Sequence, residues 1–148
     1  MKLKANEITV SYKEQQSTDL IKVTGSKSAA AILYEHWDPQ TIGLNESFKI
    51  MLLNNANRVK GIYTLSTGSI TATVVDVRIL FALVLKTLSV GIILAHNHPS
   101  SKLKPSVCDI ELTSKIVNAA QLFDVSVLDH IILTPGGDYF SFSDQAMI

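Results

Sequence analysis

Two histidines spaced two residues apart, His96 and His98, close the apolar run Val90 to Ala95, and the chain continues as HNHPSSKLKPSVCD into a segment with helical periodicity. If the apolar run is a strand, alternate side chains share a face, so both imidazoles project together from backbone positions about 6.6 Å apart. Two rings can close that span around one metal ion at Zn–N distances of about 2.0–2.1 Å. Asn97 then points the other way. Pro99 lacks an amide donor and helps stop the strand, and SSKLK carries the chain round to a helix that begins near Ser106. Asp109 falls in the first turn of that helix, where it can return toward the histidines as an oxygen ligand. Two histidines and one carboxylate leave a tetrahedral position open for water, which is the arrangement of a catalytic zinc.

Each of these residues also has a structural reading. Ser106-Val107-Cys108-Asp109 matches a capping box, in which both side chains satisfy helix-end amides. A single histidine at a strand end is usually structural, but a same-face pair with a carboxylate close behind is harder to explain without a metal. His36 and His130 lack such companions and are expected to be structural or exposed. Cys108 is expected to be a small packing residue. A hydrolytic metal site also needs a base, and LNESFKIMLL offers one, because Leu44, Glu46, Phe48, Ile50 and Leu52 share a face if the segment alternates as a strand. A carboxylate on an apolar face is costly to bury unless it is paired, protonated or set beside a cation. The alternative for Glu46 is a strand-edge residue that reaches solvent.

The elements needed to position these groups form a continuous mixed α/β pattern. Strands are expected at ITVSY, LNESFKIMLL, VKGIYTLST, SITATVV, GIILAHNH, VSVLDHIIL and YFSF. Helices are expected over SKSAAAILYEHW, where the serines can cap and Asp38-Pro39 sets the end, over VRILFALVLKTL behind the cap Asp76, and over PSVCDIELTSKIVNAAQLF. The 148 residues, 47% hydrophobic, suit one compact domain with one sizeable core. Thirteen basic and thirteen acidic side chains cancel, so net charge gives no strong nucleic-acid signal. The letters HNH therefore give little support to a nuclease. A zinc deaminase would need His-x-Glu and Pro-Cys-x-x-Cys, and this chain has one cysteine. No internal disulfide, secretory signal or membrane span is expected, which points to a soluble cytoplasmic protein.

His96-x-His98-Pro99, Ser106 and Asp109, with ten residues between His98 and Asp109, resemble the JAMM motif of the MPN-domain metalloproteases. The wider text GIILAHNHPSSKLKPSVCDIELT, the later LDHIIL and the SF near the end resemble the RadC-type branch more closely, from about Leu44 to the C-terminus. The resemblance implies a three-layer α/β/α domain with a mixed, cytidine-deaminase-like sheet, spanning 1–148 with a strand and a helix before Glu46. It implies one Zn2+ per chain held by His96, His98 and Asp109, with Glu46 as acid/base and Ser106 stabilising an oxyanion. The expected chemistry is hydrolysis of an amide, peptide or isopeptide bond in an unknown peptide or protein substrate. The alternative is a noncatalytic, metal-stabilised interaction module tied to DNA-repair-type functions. Ser101 stands where RadC-type sequences place glycine, and Asn97 is ordinary for that branch. The helix-hairpin-helix segment of longer RadC-type proteins has no counterpart in these residues.

Overall fold

The computed structural model describes residues 1–14, 20–69 and 73–148. Its elements run α1 (Ser26–Glu35), β1 (Ser47–Leu53), β2 (Val59–Thr67), α2 (Val77–Lys86), β3 (Gly91–Asn97), α3 (Val107–Gln121), β4 (Ser126–Leu133) and β5 (Tyr139–Ser141). The strands form one mixed sheet in the order β2-β1-β3-β4-β5. β1 runs antiparallel to both β2 and β3, β3 runs parallel to β4, and β5 returns antiparallel to β4. The parallel pair requires a crossover, and α3 supplies it.

Helices cover both faces of the sheet, giving three layers. On one side α1 places Ala29, Ala30 and Leu33 against Met51, Leu53, Ile93, Ala95 and Ile131. On the other side Leu80, Phe81 and Val84 of α2 and Ile116 and Ala120 of α3 pack on Phe48, Ile50, Leu52, Ile92 and Leu94. Burial on both faces explains why β1 and β3 read as nearly unbroken apolar runs. Such runs specify register weakly, because a slip of one residue exchanges one apolar face for another. The polar ends of the strands supply the missing specification. Asn97 faces the α1 side, where its Oδ1 accepts from the Ser47 amide at 2.7 Å, while Phe48 pairs with His96 on the other face.

The helix ends follow from local chemistry. Asp76 accepts from the Arg78 amide at 2.9 Å to start α2. Gly25 occupies the N-cap of α1, and Ser28 Oγ reaches back to accept from the Thr24 and Gly25 amides. One expected strand is corrected, and a second is corrected only over its described residues. ITVSY lies in no strand, because alternation creates two faces but not a hydrogen-bonding neighbour. Its neighbourhood is held by side chains instead, with Lys86 Nζ donating to the Ser11 carbonyl and Lys60 Nζ over the Tyr12 ring. Of SITATVV, residues 70–72 lie outside the described residues, and 73–75 lie in no strand. Among the described residues no helix is long and apolar enough to cross a membrane.

Candidate metal centre

The C-terminal end of β3 delivers the two histidines to the face covered by α3. His96 Nε2 and His98 Nε2 lie 3.0 Å apart, and Asp109 Oδ2 lies 3.4 Å from the first and 3.5 Å from the second. Among the described residues these three form the one cluster of histidine, cysteine and carboxylate groups that could hold a metal ion. Tetrahedral donors at zinc–ligand distances of about 2.0–2.1 Å are separated from one another by about 3.3–3.4 Å. The two edges to Asp109 meet that requirement, the edge between the histidines is shorter by about 0.3 Å, and the donors are imidazole and carboxylate, so the residues fit the group.

Local structure aims each donor. After His98 the chain turns tightly, with the Ser101 amide donating to the His98 carbonyl at 3.0 Å. Ser101 adopts φ 66°, the left-handed region that favours glycine. The turn returns the Lys102 carbonyl to within 2.6 Å of His98 Nδ1. A carbonyl only accepts, so Nδ1 carries the proton and a neutral His98 presents the Nε2 lone pair to the cluster. Asp109 is aimed by the capping box that opens α3. Its amide donates to Ser106 Oγ at 3.1 Å, and its Oδ2 accepts from the Ser106 amide at 2.7 Å. One carboxylate oxygen thus serves the helix end and faces both histidines.

The two readings of Ser106 are compatible in this geometry. Its hydroxyl oxygen accepts within the cap, while the hydroxyl proton is not used by that bond and the residue is exposed. Glu46 lies half-buried just ahead of β1, where its amide donates to the Ser69 carbonyl and its carbonyl accepts from the Gly68 amide. Continuing the Phe48↔His96 register places it opposite His98, on the histidine face. Asn97 secures this approach from the opposite face by donating Nδ2 to the Ile42 and Asn45 carbonyls at 2.7 and 2.9 Å.

The electrostatics follow from burial and neighbours. Burial raises the Glu46 pKa, partly opposed by the positive fields of His96 and His98 and reinforced by Asp109. Burial alone would raise Asp109, but the close approach of the His96 and His98 rings and the hydrogen bond from the Ser106 amide outweigh it and hold the carboxyl far below the usual range. Burial likewise disfavours a charged His98, yet Asp109 outweighs it and the net shift is upward. A positive charge is favoured among these three atoms, and either a proton or a metal ion supplies it.

His130 departs from the sequence expectation, because it does have a companion. It is fully buried, with Nε2 2.7 Å from His96 Nδ1 and Nδ1 2.6 Å from Thr113 Oγ1. Phe142 stacks on its ring at 4.6 Å, and Phe48 meets it edge-on at 5.5 Å. Burial pushes its pKa well down. A histidine inside the apolar run VLDHIIL was itself a signal, since a buried polar ring needs a partner. Asp129 accepts from the His130 amide, Ser141 Oγ and the Ser143 amide, which ties down the segment carrying Phe142. Cys108 is corrected too: it is exposed, on the outer side of the first turn of α3. His36 is exposed and caps α1 through the Ile32 carbonyl.

Fold and site together define a three-layer α/β domain with a histidine–carboxylate cluster at the C-terminal end of a central strand. The chain belongs to the RadC-like JAB domain family, whose profile matches residues 23–147. It is 40% identical over 140 residues to a UPF0758 protein of Flavobacterium johnsoniae, covering 91% of this chain and 58% of that protein. A UPF0758 protein of Porphyromonas gingivalis is 38% identical over 103 residues, covering 70% and 45%. One from Alkaliphilus metalliredigens is 42% identical over 105 residues, covering 70% and 44%. The chain spans about half the length of the curated relatives it matches.

Proposed function

We propose that this domain is a zinc-dependent hydrolase of amide, peptide or isopeptide bonds. The observation that carries this reading is the triangle of His96 Nε2, His98 Nε2 and Asp109 Oδ2, with edges of 3.0, 3.4 and 3.5 Å, and Glu46 on the same face. A zinc ion held there would polarise a carbonyl and make a water acidic enough to attack near neutral pH. Glu46, its pKa raised by burial, takes the proton of the attacking water and passes it to the leaving amine. The Ser106 hydroxyl, oriented by the cap, donates to the carbonyl oxygen as negative charge develops there. Removing such a donor costs about 2.7–4 kcal/mol in well-studied hydrolases.

The test is hydrolysis of a peptide and isopeptide library by the zinc-loaded chain, with and without chelator. Hydrolysis that chelator abolishes, and that Glu46→Gln abolishes while zinc stays bound, is the expected result. A zinc-loaded chain that cleaves nothing in the library would instead favour a metal-stabilised interaction module, a fold that keeps its site without the reaction.

A further inference from the structure

We infer that Thr113 and His130 form a positioning relay that fixes the His96 tautomer, so that His96 Nε2 is held as a free lone pair for the metal. The inference rests on the metal-centre reading and extends it to two residues that touch neither metal nor substrate.

The proton positions follow from donors and acceptors alone. Thr113 Oγ1 lies 2.6 Å from the Asp109 carbonyl and 2.6 Å from His130 Nδ1. The carbonyl can only accept, and a hydroxyl has a single proton, so Thr113 donates to Asp109. Thr113 therefore accepts from His130, which must carry its proton on Nδ1. A neutral imidazole with Nδ1 protonated has a lone pair on Nε2, and that nitrogen lies 2.7 Å from His96 Nδ1. His96 must then donate through Nδ1, which leaves its Nε2 as the lone pair facing His98 and Asp109. The chain of bonds starts at the backbone of Asp109, the third member of the cluster. The same helical turn that places the carboxylate thus also orients the ring opposite it.

The surroundings keep this arrangement in place. His130 is fully buried between Phe48 and Phe142, so water cannot substitute for either partner. His98 reaches the same tautomer by a simpler route, through the Lys102 carbonyl. His96 lies deeper, and the ring nitrogen it meets is another histidine's, which could equally be donor or acceptor. Thr113 removes that ambiguity. Without its hydroxyl, His130 would shift its proton to Nε2 and donate to His96, which would then present a protonated Nε2 to the metal.

The experiment compares the wild-type chain with Thr113→Val, which matches the volume but lacks the hydroxyl, and Thr113→Ser, which restores it. Zinc affinity is measured by competition with a chromogenic chelator, and histidine tautomers by long-range proton–nitrogen NMR of the rings. We expect Nδ1 protonation of both His96 and His130 in the wild type. Zinc affinity should fall about 10–100-fold in Thr113→Val and recover in Thr113→Ser. Wild-type His130 protonated on Nε2, or a folded Thr113→Val that binds zinc as tightly as wild type, would overturn the relay. If Thr113→Val fails to fold, the wild-type ring spectra alone decide. A wild-type chain that binds no zinc overturns the metal reading and the relay's purpose with it, while the ring spectra separately report whether the bonds exist.

Discussion

Asn97 offers the sharpest test of how the sheet delivers Glu46 to the histidines. The residue is fully buried, and its amide bonds the Ser47 amide and the Ile42 and Asn45 carbonyls across the boundary between β3 and the segment before β1. Asn97→Ala strands two buried groups, the Ser47 amide and the Ile42 carbonyl, whereas the part-buried Asn45 carbonyl can turn to water. An unsatisfied buried group costs about 1–3 kcal/mol, so two at mid-range predict a loss of about 4 kcal/mol. That is a large share of the about 5–15 kcal/mol typical of a domain. Urea unfolding in the presence of chelator, which removes any contribution from bound metal, should show a midpoint lowered by about 2 M at a typical slope. Asn97→Asp keeps the acceptor for Ser47 but sets a carboxylate against two carbonyl oxygens, so it should be no more stable than the alanine variant. A loss under about 1 kcal/mol for Asn97→Ala would refute the view that this amide ties the Glu46 segment to β3.

Four further outcomes are expected. Purified protein should bind about one zinc per chain, and the His96→Ala, His98→Ala double variant should lose it; elemental analysis showing undiminished metal would remove these ligands from the assignment. Ser106→Gly should stay folded at a cost of a few tenths of a kcal/mol, yet lower turnover of any substrate by about 10²–10³ with zinc retained, and unchanged turnover would leave only the capping role. Because the His98 pKa is raised above the ordinary value of 6.5, zinc must displace a proton as the solution becomes acid. Apparent affinity should therefore fall as pH drops from about 8 to about 5.5, while the metal-free chain gains stability from His98 protonation below 6.5 and loses it as pH rises through the raised value. An affinity that does not change over that range would contradict this. Ser101→Gly should relieve the left-handed backbone and raise the unfolding free energy by up to about 1 kcal/mol, measured by urea titration, whereas Ser101→Val should lower it.

Much of the site was legible in the sequence because its rules are local. Strand alternation puts His96 and His98 on one face and Asn97 on the other, and the capping box places Asp109 one helical turn from Ser106. Both follow from the geometry of a few neighbouring residues, and so do the starts of α2 at Asp76 and of α3 at Ser106. Alternation failed at ITVSY for the same reason that it succeeded elsewhere, since it describes faces and says nothing of a partner strand. Only tertiary structure brought His130 to His96, residues 34 positions apart on neighbouring parallel strands. A parallel pair is joined by a helix of no set register, so sequence spacing cannot say which side chains will meet across it. The same holds for Thr113 beneath His130, and for Asn97 beneath the Glu46 segment. The sequence by itself determined which atoms could bind a metal. The packing of β3, β4 and α3 decided which buried groups would hold those atoms in place, because a buried polar group must find its partner wherever the fold leaves one.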